Sequence, residues 1–188
     1  VNLAGPRSRE VLQTLVDIDV DEAAFPYLGA REGNVNGMPA RLMRVGFVGE
    51  LGYEIHVPAD YGAALWDSLI KAGKRVGIRP LGVEAQRLLR LEKGHVIIGQ
   101  DTDGLTTPFE AASGLAVKMD KPFFIGQRSL KIIQAKPLRQ TLIAFEIEKS
   151  YAGPAPKECH LIIDQGDMAG RVTSVARHSA SHTPASAR

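Results

Sequence analysis

The pair Asn36-Gly37 constrains this chain more than any other two residues. An asparagine–glycine dipeptide takes up the positive backbone angles of a tight turn, and such a turn joins antiparallel strands. Pro39 to Phe47 is then the return strand of a hairpin. Gly49 and Gly52 bracket a second turn. After it, Tyr53-Glu54-Ile55-His56-Val57 alternates polar and apolar residues, as a strand does when one face is buried and the other meets something polar.

Helical stripes interrupt these hairpins at irregular intervals. Leu3 to Pro6 reads as the end of a strand, and Ser8 is placed to cap a helix carrying Val11, Leu12, Leu15 and Val16. Asp60 is a cap for a second helix with a Leu65, Leu69 and Ala72 stripe, and Gly73 is expected in the left-handed position after it. A third helix runs from Val83 to Lys93, closed by Gly94. His95 to Ile98 reads as a short strand and Gly99 to Gly104 as a loop. A helix from Gln127 to Gln134 leads to strands at Thr141 to Ile147, Leu161 to Ile163 and Arg171 to Val175. From Arg177 to Arg188 no large apolar residue anchors the chain, and disorder is expected. Interleaving of this kind points to an α+β fold of antiparallel sheets with helices, not to a doubly wound parallel sheet.

The 188 residues, 44% hydrophobic and 23% charged, are enough for one large domain or two small ones. Lysine and arginine number 23 against 21 acidic residues, a formal charge of +2 with the signs mixed along the chain. That balance gives no support to a nucleic-acid or membrane-surface partner. Cys159 is the single cysteine, so no internal disulfide can form, and a reducing cytoplasmic setting is expected. No apolar run approaches the roughly 20 residues of a membrane helix. The opening Val1-Asn2-Leu3-Ala4-Gly5-Pro6 has neither a methionine nor a signal-peptide core and reads like the interior of a domain, so a fragment or a mis-started chain is expected.

The most informative stretch for chemistry is Gly46-Phe47-Val48-Gly49-Glu50-Leu51-Gly52-Tyr53-Glu54-Ile55, where two carboxylates flank a turn that glycines leave almost free of side chains. A flat ligand can approach such a backbone closely. If Glu54 faces the ligand, its two oxygens can accept parallel hydrogen bonds from an amidine-like edge of the kind a pterin ring presents. The competing reading is a solvent-facing glutamate on an amphipathic strand. The helix from Val83 to Lys93 places Glu84, Arg87 and Leu88 on one face; Arg90 could pair near Glu92 or with a distant strand, but a solvated face is the first reading. Asp101-Thr102-Asp103-Gly104 begins like a calcium loop but lacks the later ligands, so no metal site is expected. Cys159 and His160, adjacent on an expected strand, would point to opposite faces and could not form a nucleophile–base pair.

Three blocks, in order, carry a resemblance: Gly49-Glu50-Leu51-Gly52-Tyr53-Glu54-Ile55; then Leu88-Leu89-Arg90-Leu91-Glu92-Lys93-Gly94 with Gly99-Gln100-Asp101; then Thr107-Pro108 with Phe124-Ile125-Gly126. Together they resemble the glycine-cleavage T-protein (aminomethyltransferase) superfamily over roughly residues 1 to 175. Within it, Leu81 to Ala85 and Glu92 to Gly104 look similar to the sarcosine oxidase alpha subunit branch. The resemblance implies a folate-binding α+β region over 1–135, its N-terminal part missing, an incomplete small β-barrel over 136–176 and a tail at 177–188. It implies tetrahydrofolate, converted to 5,10-methylenetetrahydrofolate, as cofactor, a one-carbon transfer from an amine, and other subunits of a glycine-cleavage or sarcosine-oxidase-type complex as partners.

By the same resemblance Glu54, beside Tyr53, takes the place of the family's pterin-binding glutamate. Gln86 stands where T-proteins have a folate-holding arginine, and Ile98 and Leu115 stand where they have a tyrosine and a tryptophan. Each departure removes a charged or aromatic contact. The family's catalytic aspartate lies upstream of anything resembling Val1, so no catalytic residue is assigned here. The alternative is a non-catalytic folate-binding or assembly module; the assembly relatives carry lysine-glycine-cysteine where this chain has Lys93-Gly94-His95. A truncated, nonfunctional product is the third expectation.

Overall fold

The computed structural model describes residues 1–148, 150–176 and 184–187, the last four by their backbone alone. The chain divides into two compact units, Val1–Leu89 and Arg90–Arg188. The division falls inside a helix.

In the first unit the elements are β1 (Asn2–Ala4), α1 (Ser8–Gln13), β2 (Ala30–Val35), β3 (Met38–Met43), β4 (Gly52–His56), α2 (Gly62–Gly73) and the start of α3 (Val83–Lys93). The expected hairpin is present: Asn36 and Gly37 have φ of 49° and 79°, and Val35 pairs with Met38 across them. The strands form one antiparallel sheet in the order β1-β4-β3-β2. Alternation sends Leu3, Val35, Met38, Ala40, Leu42, Tyr53 and Ile55 to one face, where they meet Val11 and Leu12 of α1 and Leu65 and Leu69 of α2 in a single buried cluster. Burial of each such aliphatic side chain contributes about 1.5 to 3 kcal/mol. The residues in between point the other way: Asn2, Glu32, Arg41 and His56 are exposed, and Glu54 is half-buried.

Two capping expectations are corrected. Ser8 is already inside α1, and its buried hydroxyl donates to the Leu51 carbonyl at 3.0 Å instead of closing the helix start. Gly73 ends α2 in the right-handed conformation, and the left-handed position falls at Gly77 (φ 75°), because a turn of 3₁₀ helix from Lys74 to Val76 intervenes.

The second unit holds the end of α3, then α4 (Gln127–Gln134), β5 (Ile143–Glu146), β6 (Leu161–Asp164), β7 (Asp167–Val175) and β8 (Pro184–Ala187). Its sheet has the order β5-β8-β7-β6, every pairing antiparallel. No ordered element was expected after Arg177. Residues 184–187 nevertheless form β8, because β5 and β7 offer ladders on both of its edges and a strand there needs no apolar anchor. The rest of that tail, 177–183 and 188, lies outside the described residues. His95 to Ile97 is irregular and Ile98 opens a turn that runs to Asp101, so this stretch is not a strand, for a reason given below.

Candidate functional site

Glu54 stands on the face of the first sheet that α1 and α2 leave open. The backbone brings it there through a tightly folded 45–52 segment. A Cβ on Gly46 would lie 2.7 Å from the Glu50 carbonyl oxygen, one on Gly52 would lie 2.7 Å from that of Val45, and Gly49 has φ of 83°. Gly46 and Gly52 are thus packed against backbone and leave no room for a side chain, and Gly49 takes a left-handed angle that glycine adopts without strain. Across the sheet the open face runs in register: Asn2, Glu54, Met43 and Ala30 form one row, and His56, Arg41 and Glu32 the next. Arg41 Nη2 lies 2.7 Å from Glu32 Oε1, and His56 Nε2 lies 3.3 Å from Glu54 Oε2. The Glu54 side chain is 36% exposed, which leaves its carboxylate able to accept further donors.

Tyr53, its neighbour, is on the opposite face and fully buried. Its hydroxyl accepts a hydrogen bond from Arg9 Nε at 3.2 Å, its ring packs 5.8 Å from that of Phe25, and the Arg44 guanidinium sits 5.4 Å from its centroid. Tyr53 therefore anchors β4 from the buried side of the sheet, opposite to Glu54. Gln86 is half-buried on α3 and lines a cavity of about 290 Å³ along the outer edge of β1, with Leu3, Trp66, Leu69, Ile78 and Leu81. Glu54 is not part of that lining, but Asn2 belongs to both places: it lines the cavity and is the register partner of Glu54. Ile98 and Leu115, in the second unit, are 80% and 93% exposed.

Sequence reasoning missed a buried polar clasp in the second unit. Asp101, 1% exposed, accepts hydrogen bonds from the Ile97 amide at 2.8 Å, from Thr173 Oγ1 at 2.7 Å, from Ser174 Oγ and from Arg90 Nη1. Arg90, 2% exposed, also donates to Ser174 Oγ and, at 3.1 Å, to the His95 carbonyl. Arg90 is thus no solvated residue, and the bonds between Ile97 and Asp101 close a turn over 98–101 in place of a strand. Burial alone would raise the Asp101 carboxyl, but the Ile97 amide, the two hydroxyls and the Arg90 charge together hold it below the usual range. A pointer was available in the sequence: Asp101 begins an incomplete calcium loop, and an acidic residue there without the other ligands needs a different partner.

The Thr107-Pro108 block plays a similar part. Glu110 and Thr107 exchange hydrogen bonds, 2.8 Å from the Thr107 amide and 3.3 Å from the Glu110 amide, and Arg139 Nε adds one at 3.1 Å. The Thr107 amide, with Arg139 assisting, lowers the Glu110 carboxyl against the opposing effect of burial. Among the described residues no group of three or more His, Cys, Asp or Glu side chains could hold a metal ion, and no helix is long and apolar enough to cross a membrane. Cys159 is exposed in a turn with φ of 71°, ahead of β6 and not within a strand.

Comparison with known proteins adds identity to this geometry. An aminomethyltransferase of Halothermothrix orenii is 36% identical over 172 residues, which cover 92% of this chain and 47% of that protein. The sarcosine oxidase alpha subunit of Rhizobium meliloti is 44% identical over 131 residues, 69% of this chain and 13% of that one. The crystal structure of glycine cleavage system aminomethyltransferase T from Bartonella henselae superposes with a TM-score of 0.74 at 24% identity, covering 97% of this chain and 49% of that chain, a likeness of fold. The chain thus spans about half the length of the aminomethyltransferases it matches. The family model described as the GCVT N-terminal domain matches residues 1–121, and with it the chain belongs to that family.

Proposed function

We propose that this chain supplies part of the folate cradle of a tetrahydrofolate-dependent aminomethyltransferase-type protein, of glycine-cleavage T or sarcosine oxidase alpha kind. The observation that carries the reading is the Glu54 carboxylate on the open sheet face, reached through a segment in which Gly46 and Gly52 leave no room for side chains. Its two oxygens match the paired donors of a pterin edge, and each charge-assisted bond contributes about 1.5 to 3 kcal/mol. The family membership and the printed names of the relatives point the same way.

Chemistry follows from proximity. The folate nitrogens are nucleophiles, and the carbon leaving the amine is an electrophile. Holding the two together removes an entropic barrier on the way to 5,10-methylenetetrahydrofolate. The reading gives this chain the holding of the heterocycle, with Gln86 beside it as a neutral donor and acceptor, and gives none of its residues the transfer step. Partners of this reading are the folate and further subunits of a glycine-cleavage or sarcosine-oxidase-type assembly; the cytoplasm, where Cys159 stays reduced, is the proposed setting. Residues 136–176 are proposed as part of a small barrel. Ile98 and Leu115, aliphatic and exposed, favour a second reading, a folate-binding or assembly module without transferase activity.

Calorimetric titration with tetrahydrofolate tests the first claim. The parent chain should bind, and Glu54→Gln should weaken binding by about tenfold or more. A parent that does not bind rejects the folate site, and a variant that binds equally well rejects the Glu54 contact. Methylene transfer from an amine donor by a folate-binding chain would reject the non-catalytic module.

A further inference from the structure

The open face of the first sheet places an imidazole against the candidate ligand-binding carboxylate. His56 follows Glu54 by two positions on β4, so both project from the same side. Their Nε2 and Oε2 are 3.3 Å apart, and both remain open to solvent, 54% for His56 and 36% for Glu54. A carboxylate only accepts, and a two-donor heterocyclic edge needs both of its oxygens. Protonated imidazole occupies one of them with a charge-assisted donor. Neutral imidazole offers a weaker donor in one tautomer and none at Nε2 in the other.

We propose that His56 is a working part of the Glu54 site, an imidazole that in its protonated form competes with the ligand's N–H edge for Glu54 Oε2. Capture of an amidine-edged heterocycle is then weaker with the imidazole protonated than with it neutral. The inference rests on the folate reading above and deepens it.

The surroundings leave the pair to itself. Arg41 on β3 is the register partner of His56, and its charge is already matched by Glu32 of β2 at 2.7 Å. On the other side Asn2, neutral, is the β1 partner of Glu54, and the Val1 nitrogen donates to the Ile55 carbonyl at 2.8 Å. Met43 of β3, opposite Glu54, carries no charge. Glu54 is the carboxylate within reach of His56, and a ligand must displace the imidazole from it.

The test is calorimetric titration of the 188-residue chain with 5-formyltetrahydrofolate, a reduced folate whose own groups keep one protonation state between about pH 6 and about pH 8, the range in which histidine titrates. The parent should lose affinity on the order of threefold to tenfold from the upper to the lower end of that range. His56→Gln should lose the slope, because its amide does not titrate. His56→Arg, charged throughout, should bind weakly at both ends. A flat parent profile, or a slope that survives in His56→Gln, overturns the role of His56 while leaving Glu54 as a ligand. A parent that binds at no pH removes the folate reading and the inference with it.

Discussion

Asp101 and Arg90 are charged residues that the sequence places near glycines and other polar groups, yet both are sealed from water. Removing two charges from water costs several kcal/mol each, and the return grows with the donors and acceptors that are used; Arg90 Nε is buried without a hydrogen-bond partner among the described residues. Here the carboxylate is met by a backbone amide, two hydroxyls and the guanidinium. Asp101→Asn keeps the shape but withdraws the negative charge, leaving Arg90 buried without its counter-ion and presenting an amide donor to groups that already donate. The variant should lose about 3 to 5 kcal/mol of stability, read as a fall in the urea midpoint of the second unit. Replacing both partners at once, Arg90→Met with Asp101→Leu, should recover much of that loss, since the cost lies in the unmatched charge and not in the missing bond. A single variant as stable as the parent would show that the clasp carries no energy.

At the scale of elements, what the sequence made legible was local. The hairpin at Asn36-Gly37 and the helix Gln127–Gln134 depend on neighbours a few residues apart, and both are as expected. The alternation along β4 placed Glu54 opposite the buried Tyr53 and Ile55 for the same reason. What stayed hidden depends on distant partners. Thr173 and Ser174 reach Asp101 across 72 and 73 residues, and Ser174 reaches Arg90 across 84, so no window of sequence could show that Arg90 is buried or that 95–97 is irregular. β8 carries no apolar signal of its own and is defined by the strands beside it. Gln86, Ile98 and Leu115 were legible only through family likeness, and the structure sets Gln86 in a cavity and the other two in the open.

The end of α2 shows how a local rule and a packing demand can exchange places. Gly73 needs no special backbone angle, but a Cβ there would lie 2.6 Å from Ile78 Cβ. Gly77 meets nothing within 4 Å and instead carries φ of 75°. Gly73→Ala should therefore cost about 1 to 3 kcal/mol through overpacking despite alanine's higher helix propensity. Gly77→Asn should cost only a few tenths of that range, because asparagine tolerates the left-handed region. Thermal midpoints of the two variants check the order. If Gly73→Ala proves the milder change, the contact with Ile78 is not what holds that glycine in place.

At the scale of the whole chain, the two units are stabilised by different physics. The first is closed by a buried aliphatic and aromatic cluster drawn from all four of its strands and both α1 and α2. Among the described residues of the second, the buried apolar ones are few, Leu91, Ala111, Val172 and Ala176, and the buried polar ones, Arg90, Asp101, Thr102, Glu110, Thr173 and Ser174, outnumber them. Its two buried carboxyls are held below their ordinary values of 3.8 for Asp101 and 4.5 for Glu110. A carboxyl depressed in the folded state contributes stability that is present above its unfolded value and is lost as pH falls through its folded value. Acidification from about pH 5 downward should thus remove the polar ties of residues 90–176, while apolar burial in the first unit does not titrate. Hydrogen-exchange mass spectrometry across that range should show protection in 90–176 falling before protection in 1–89. Loss of protection in both units at the same pH would mean that they unfold as one cooperative body, and that the clasp around Asp101 sets the stability of the entire chain.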